Sequence, residues 1–195
     1  SITKTLWALL LQIAVNDEGK DFAWEDKITK FIPSASNTAF KDATVLGVAS
    51  HTACLHGDFL PTEEQYRTMS TKYPDDPLGT KQAVEHGWFH ARIDAELENG
   101  LRPDCVIDPE NPPDILYAHD GGAFILMYIA TTLFQQNFIE LAQTKIFDTL
   151  EMTTASVSSG MGGPSGGLYA SVQDMARYGR FHLSGYLGEL ELNDK

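Results

Sequence analysis

The chain has 195 residues, of which 43% are hydrophobic and 21% are charged, and its formal net charge is −13. This composition is ordinary for a globular domain and does not fit a chain that is disordered throughout. The negative charge argues against nucleic acid and anionic membrane surfaces as partners, because both repel an acidic protein. No apolar run reaches the roughly 18 residues that a membrane-spanning helix needs.

The strongest helical pattern in the sequence opens the chain. From Ser1 to about Asp17, apolar residues recur at helical spacing, and Gly19 follows as a stop signal. Ser1 and Lys4 are three residues apart, so both side chains project from one face of the first turn. A lysine buried at this positive end of a helix loses its proton more readily, and a neutral lysine beside a hydroxyl is a base beside a nucleophile. An isolated S-x-x-K is more often an N-cap serine followed by a solvated lysine. Whether Ser1 and Lys4 form a catalytic pair therefore depends on what the later segments of the chain resemble.

Short elements and long connections are predicted between this helix and residue 113. The first are a short helix from Glu25 to Phe31 closed by Pro33, a polar loop from Ser34 to Thr38, a short helical segment from Thr44 to Ser50 and an irregular stretch from His51 to Pro61. A helix start at Thr62, a loop from Tyr73 to Gly79, a long amphipathic helix from Thr80 to Glu98 and a proline-rich connection from Pro103 to Pro113 follow. A connection as long as the last one is often functional in a compact domain.

The rest of the chain is also predicted to be mainly helical. Its elements are helices from Asp120 to Phe134 and from Asn137 to Leu150, a Gly- and Ser-rich loop from Ser156 to Gly167, a short strand candidate from Gly167 to Ala170 and a helix from Ser171 to Leu183 that Gly185 stops. We expect the chain to be a fragment of a longer gene product, because its predicted helices lack a sheet and its first residue already lies in a buried helix. The lack of a signal peptide therefore gives no information on the compartment.

The cysteines and one histidine pair were considered as metal or disulfide sites. Cys54 and Cys105, the only cysteines, lack C-x-x-C spacing, so separate thiols are the default prediction and a single bridge is the alternative. His86 and His90 are four residues apart on a predicted helix, which suits two metal ligands, but Gly87 stands where an H-E-x-x-H site has glutamate. The pair is interpreted as surface or core histidines, and no metal site is predicted.

Five segments, in order along the chain, resemble the motifs of one enzyme family. They are Ser1-Ile2-Thr3-Lys4, Ser50-His51-Thr52-Ala53-Cys54-Leu55, Tyr117-Ala118-His119-Asp120-Gly121, Ile146-Phe147-Asp148-Thr149-Leu150-Glu151-Met152-Thr153-Thr154 and Gly166-Gly167-Leu168-Tyr169-Ala170-Ser171-Val172-Gln173-Asp174-Met175-Ala176-Arg177. They resemble the S-x-x-K, H-T-S-G-L, Y-x-N-x-G, I-F-x-P-L-G-M-x-x-T and G-G-L-x-S-T-x-x-D-L-A-R stretches of the penicillin-recognising serine hydrolases. This family includes class C β-lactamases, D,D-peptidases, related esterases and nylon-oligomer hydrolases. Cys54 stands in a glycine position of the family, and His119 stands where asparagine is usual.

The resemblance implies an α+β fold of the β-lactamase/transpeptidase type, in which a mixed sheet is flanked by helices and joined to a helical subdomain. Residues 1–195 would form one partial domain of this kind, with a mostly helical subdomain over residues 45–150. The family's third motif is K-T-G or H-x-G on a sheet strand; the sequence has no K-T-G, and its one H-x-G, His119-Asp120-Gly121, lies within the Y-x-N-x-G segment, so this motif is absent. The chain is therefore expected to be mostly α-helical, because the strands of the sheet lie outside it.

The resemblance also implies a reaction and a set of site residues. Ser1 would attack a carbonyl and form an acyl-enzyme, Lys4 would accept the serine proton, and Tyr117 would assist proton transfer to the leaving group. His119 would contact the substrate or relay a proton, and the backbone N–H of Ser1 would donate to the oxyanion. The expected partner is a small-molecule amide, lactam or ester, and neither a metal nor an organic cofactor is implied.

Two other functions stay open at this point. The chain could be a catalytically inactive or weak family member, or a fragment, that serves as a binding protein, because the strand that completes the oxyanion hole is missing and His119 departs from the pattern. A serine at position 1 could also be an N-terminal nucleophile that uses its own amine as the base. Lys4 and the helix start argue against this last hypothesis.

Overall fold

The computed structural model describes residues 2–57, 88–108, 111, 113–114, 120–158 and 163–193. The elements, in chain order, are α1 (Thr3–Val15), two 3₁₀ turns (Ile28–Lys30 and Pro33–Asn37), α2 (Val45–Ala49), α3 (Trp88–Glu98), α4 (Gly121–Phe134), α5 (Phe138–Ala142), a π-helical turn (Gln143–Phe147), β1 (Ser156–Val157), α6 (Gly163–Gly166), β2 (Leu168–Tyr169) and α7 (Val172–Asn193). β1 and β2 pair antiparallel, with Val157 opposite Leu168. The expectation of a mostly helical part of an α+β fold is confirmed.

Helix α4 lies at the centre of the described structure. Its sequence contains no charged residue, and every residue from Gly121 to Met127 is buried. Helices α1, α2, α3 and α5 all pack against it. A helix that is apolar on all sides is expected in the interior of a domain, so the helix predicted from Asp120 to Phe134 is confirmed.

Helix α1 packs along α4 and runs in the same direction. Its first turn reaches Asp120 at the start of α4, and just beyond its last turn the Lys20 Nζ lies 5.1 Å from the centre of the Phe134 ring. The side chains that face the core are fully buried; they are Leu6, Trp7, Leu10, Leu11 and Ala14. Burial of each large apolar side chain stabilises the fold by about 1.5–3 kcal/mol, so this helix is a main source of stability.

Two of the sequence motifs are bound to each other. Thr154 ends the motif of residues 146–154, and Asp174 belongs to the motif of residues 166–177. Thr154 donates from its backbone N–H and its hydroxyl to the Asp174 carboxylate, at 2.8 and 2.5 Å. The N–H of Ser171 donates to the Thr154 hydroxyl at 3.1 Å, and the Arg177 guanidinium donates to Asp174 at 2.8 Å. The hydroxyl of Thr154, together with its N–H and with Arg177, holds the pKa of Asp174 below its ordinary value. These motif residues therefore connect α7 to the turn before β1 and have a structural role.

Backbone geometry explains three glycine positions of the family motifs. Cys54 and Glu151 stand where the motifs have glycine, and their φ angles are 59° and 55°, in the left-handed region that favours glycine. Gly121 has a different reason, because a Cβ atom there would lie only 2.7 Å from the Glu96 carboxylate. The alignment of this chain with the motifs is therefore physically consistent at all three positions.

Several sequence predictions need correction in the described parts. The helix predicted from Glu25 to Phe31 is only a 3₁₀ turn at Ile28–Lys30, and the predicted loop from Ser34 to Thr38 contains a second 3₁₀ turn, which Pro33 starts. The predicted loop from Ser156 to Gly167 contains β1 and α6. Helix α7 continues past Gly185 to Asn193, since an interior glycine weakens a helix by only about 1 kcal/mol. None of the described helices combines the length and the apolar character that crossing a membrane requires.

The default prediction of separate thiols is wrong. Cys54 and Cys105 form a disulfide across 51 residues of sequence. The bridge joins the segment after α2 to the segment after α3, where the Arg102 N–H also donates to the Cys54 carbonyl at 3.1 Å. Sequence spacing could not select this pairing, because the two cysteines are brought together by the packing of α2 and α3 on α4.

Candidate active site

Of the four predicted site residues, Lys4 lies within the described structure, whereas Ser1, Tyr117 and His119 lie outside it. Lys4 is in the first turn of α1, as predicted, and its side chain is only 13% exposed. Its Nζ donates to the carbonyl of Ser165 at 2.8 Å and lies 3.7 Å from Oδ1 of Asp120. The amine is thus held in a fixed position between α6 and the start of α4.

The segment from Pro164 to Leu168 is fastened to one face of α1. In addition to the bond from Lys4, the Trp7 indole donates to the Pro164 carbonyl at 2.5 Å, and the Leu168 N–H donates to the Thr3 hydroxyl at 3.1 Å. Trp7 lies four residues after Thr3 and three after Lys4, so its side chain is a neighbour of both on the helix surface. The described end of the loop predicted from Ser156 to Gly167 is thus bound to α1 through the carbonyls of Pro164 and Ser165.

Asp120 connects Lys4 to a second buried cation. The Arg92 Nη2 lies 3.7 Å from Oδ2 of Asp120 and donates to the Gly57 carbonyl at 3.3 Å. The Arg92 side chain is 4% exposed, and its guanidinium carbon lies 5.3 Å from the centre of the Phe124 ring. Two cations therefore share one carboxylate, an arrangement that compensates part of the desolvation that burial imposes on them.

Glu96 supports the same region from helix α3. Its two carboxylate oxygens accept from the Gly57 N–H at 2.9 and 3.0 Å, and its side chain packs against Gly121. Burial raises the pKa of Glu96, against the opposing effects of backbone N–H groups and of Arg92. Through Gly57, Glu96 fixes the carbonyl that Arg92 binds, and the N–H of Asp120 donates to that same carbonyl at 3.0 Å.

A pocket of about 190 Å³ opens beside Lys4 between α1, α2 and α4. Each of the three helices contributes an alanine to its wall: Ala8, Ala49 and Ala123. His51, which follows α2, also lines the pocket, with a left-handed φ of 61°. Burial, and then the charge of Lys4, lowers the pKa of His51, so its imidazole is neutral at pH 7.

The sequence interpretation missed the residues that surround Lys4. The sequence pattern predicts only a helix start at Asp120 and places Arg92 and Glu96 in an amphipathic helix. Every residue from Arg92 to Leu97 is buried, so this part of α3 has no solvent-facing side. A usable signal was present, because Arg92 and Glu96 are four apart among apolar neighbours and so lie on one face of the helix.

Metal binding is not indicated by the described residues. Within those parts of the chain, no three His, Cys, Asp or Glu side chains lie close enough together to hold a metal ion. The structure does not test the pair His86 and His90. His86 lies outside the described residues, and His90 is described only as part of helix α3.

Comparisons with known proteins identify the family. The sequence model of the β-lactamase family matches residues 1–195. A "putative beta-lactamase" from Bacteroides dorei DSM 17855 has a similar structure, with a TM-score of 0.62 and 20% sequence identity over 91% of this chain and 47% of that one. A class C β-lactamase from Rhodobacter sphaeroides is similar at a TM-score of 0.56 and 16% identity, over 91% of this chain and 48% of that one.

The chain thus spans about half the length of these two solved structures, which share its fold. No curated protein sequence matches it significantly. Since the family model extends over every residue, the chain belongs to the β-lactamase family of penicillin-recognising serine hydrolases.

Proposed function

We propose that the protein is a serine hydrolase that cleaves a small-molecule amide, lactam or ester through an acyl-enzyme. The observation that carries this proposal is the position of Lys4. Its amine is largely buried in the first turn of α1, held by Ser165 and Asp120, and lines a pocket large enough for part of a substrate. Membership of the β-lactamase family supports the same class of reaction.

In the proposed reaction, the Ser1 hydroxyl oxygen attacks the substrate carbonyl carbon while Lys4 takes the hydroxyl proton. Tyr117 then passes a proton to the leaving nitrogen or oxygen as its bond to the carbonyl carbon breaks. Water attacks the acyl-enzyme and releases the acid and the Ser1 hydroxyl. His119 contacts the substrate or relays a proton beside Lys4.

The contacts of Lys4 add a condition to this mechanism. The amine already donates to Ser165 and faces the Asp120 carboxylate. Its role as the base requires that Lys4 first lose the proton that it carries in its pair with Asp120, and that the neutral amine reach the Ser1 hydroxyl or exchange one of these contacts for it. Asp120 would then lie beside the ammonium ion that forms when Lys4 takes the proton, which favours that step electrostatically.

The proposal is tested by covalent labelling of the full-length protein. A fluorophosphonate or a penicillin-type probe is expected to acylate Ser1, which intact mass and peptide mapping would locate. Ser1→Ala should abolish the adduct, whereas Ser36→Ala, at an exposed serine distant in sequence, should leave it unchanged. An adduct that persists in Ser1→Ala would refute the assignment of the nucleophile.

A second candidate is a binding protein of the same fold without turnover. The observation that favours it is that the Lys4 amine is already occupied by a carbonyl and a carboxylate. Lys4→Arg distinguishes the two functions, because arginine keeps the charge but does not act as a base near neutral pH. The hydrolase proposal expects this variant to lose labelling, whereas equal and negligible labelling of the wild type and Lys4→Arg, with ligand binding retained, would favour the binding protein.

A further inference from the structure

The pocket beside Lys4 owes its existence to side-chain size. Three helices meet there, and each contributes an alanine where a larger residue would close the space; these are Ala8 of α1, Ala49 of α2 and Ala123 of α4. Leu126, at 5% exposure, forms an apolar part of the wall. The volume of about 190 Å³ exceeds the ~150 Å³ of an engineered apolar cavity that binds benzene. A group about the size of a benzene ring therefore fits.

The polar side chains of this pocket favour a neutral ligand. Lys4 is the cation of the lining, and its charge faces Asp120 at 3.7 Å. The His51 imidazole adds no second positive charge at neutral pH, because burial and Lys4 disfavour its protonation and lower its pKa. A neutral carbonyl group can accept from the Lys4 amine while an apolar body fills the space between the alanines.

We propose that this pocket binds the apolar group of the substrate, and that this group is comparable in size to a benzene ring. The substrate class is then an amide, lactam or ester that carries one ring or a branched alkyl group of that size next to the carbonyl. The pocket itself is independent of catalysis, but the nature of the reacting bond rests on the function proposed above.

The test uses neutral amides as probes and the full-length Ser1→Ala protein, so that no turnover is required. Benzamide is expected to bind saturably and to raise the melting temperature. Acetamide, which lacks the ring, should bind at least about tenfold more weakly, because burial of a ring contributes most of the affinity. 4-Phenylbenzamide, whose apolar body is about twice as large, should also bind more weakly than benzamide.

Variants locate the binding in this pocket. Ala49→Leu should fill the space and weaken benzamide binding by about tenfold or more, and Ala8→Leu serves as a second variant on another wall. Ala176→Leu, at an exposed position of α7, is the matched control and should bind like the parent protein. Circular dichroism should show that all three variants are folded.

The outcomes separate the pocket from the chemistry. Benzamide binding that Ala49→Leu and Ala8→Leu abolish supports the pocket, even if the wild type fails to react with covalent probes and the hydrolase proposal fails. Covalent labelling of Ser1 without any preference for benzamide over acetamide overturns the pocket and leaves the hydrolase proposal standing. Benzamide binding that neither variant weakens also overturns it.

Discussion

The two ends of the α1–α4 pair are built from different chemistry. At the end where both helices begin, Lys4, Asp120 and Arg92 bring three ionisable side chains together, with Glu96 behind them. At the opposite end the pair packs against α5 and the π-helical turn, and large apolar side chains of these elements are fully or almost fully buried; these are Leu10, Leu11, Ile129, Phe138, Leu141 and Phe147.

This difference indicates where stability and function are located. The side chains named at the apolar end remove a large hydrophobic surface from water and carry no charge themselves, so their burial leaves no ion to compensate. The charged end has to compensate for the desolvation of its ions, and the Arg92 Nη1 is buried there without a hydrogen-bond partner among the described residues. Ionisable groups that are kept next to a pocket at such a desolvation cost are typical of functional sites.

The largest expected loss of stability comes from a substitution at the apolar end. Leu10→Ala should lower the free energy of unfolding by about 3 kcal/mol, because Leu10 is 0% exposed and its truncation leaves a cavity against α4. Urea unfolding monitored by circular dichroism would measure the change. The control is Leu46→Ala, since Leu46 is 47% exposed and should lose much less. Equal losses in the two variants would contradict the contrast between core and surface.

The second prediction concerns a substitution that removes the shared anion of the charged end. Asp120→Asn should lower the free energy of unfolding by about 2 kcal/mol, because Lys4 and Arg92 then lose the anion that they share. Asparagine keeps the shape and suits the start of a helix, so the change isolates the charge. Asp42→Asn is the control: Asp42 pairs with Lys27 at 2.7 Å at the surface and should show almost no effect. A stable Asp120→Asn variant would mean that the three charges are independent.

A third variant sharpens the comparison by stabilising the apolar end. Glu151→Gly should raise the free energy of unfolding by about 0.5–1 kcal/mol, because its φ of 55° is strained for glutamate and free for glycine. The same substitution at Glu140, in α5, should lower stability, since glycine is unfavourable inside a helix. Thermal unfolding of both variants checks the opposite signs, and two losses would show that the left-handed strain at Glu151 is negligible.

The smallest expected effect is a pH dependence that belongs to the charged end. The folded protein lowers the pKa of His51 below its ordinary 6.5, so below that pH the unfolded chain binds a proton that the folded chain resists. Stability should therefore fall as the pH drops through this range. His51→Asn, which tolerates the φ of 61°, should make the decline shallower.

Unfolding free energies of the wild type and His51→Asn between pH 8 and 5 would measure this contribution. Above pH 7 the two curves should run parallel, because neither His51 nor its asparagine replacement changes charge there. Curves that stay parallel below pH 6.5 as well would contradict the contribution of His51.

The sequence predicted those features that arise from local patterns. Apolar residues at helical spacing were sufficient for α1, α2 and α4, and they also placed the start of α5, where Asn137 accepts from two N–H groups of the first turn. The strand from Leu168 to Tyr169 was also expected. The predicted helix end at Gly185 was wrong, because a single glycine destabilises a helix only weakly.

The site was predictable only in part because its contacts join distant segments. Lys4 was found from its spacing to Ser1, but its partners Ser165 and Asp120 are set by how α6 and α4 pack on α1. Asp120 in turn faces Arg92 of another helix. No local pattern encodes such contacts, and the roles of Ser1, Tyr117 and His119 stay predictions.

The disulfide makes the chain a closed ring between Cys54 and Cys105. A protease that cuts once anywhere between these two residues would leave both products covalently attached, with the mass of the chain changed only by the added water. The cut would become visible on a gel only after reduction. The products of limited proteolysis must therefore be compared on reducing and non-reducing gels. Fragments that separate only after reduction identify cuts between Cys54 and Cys105.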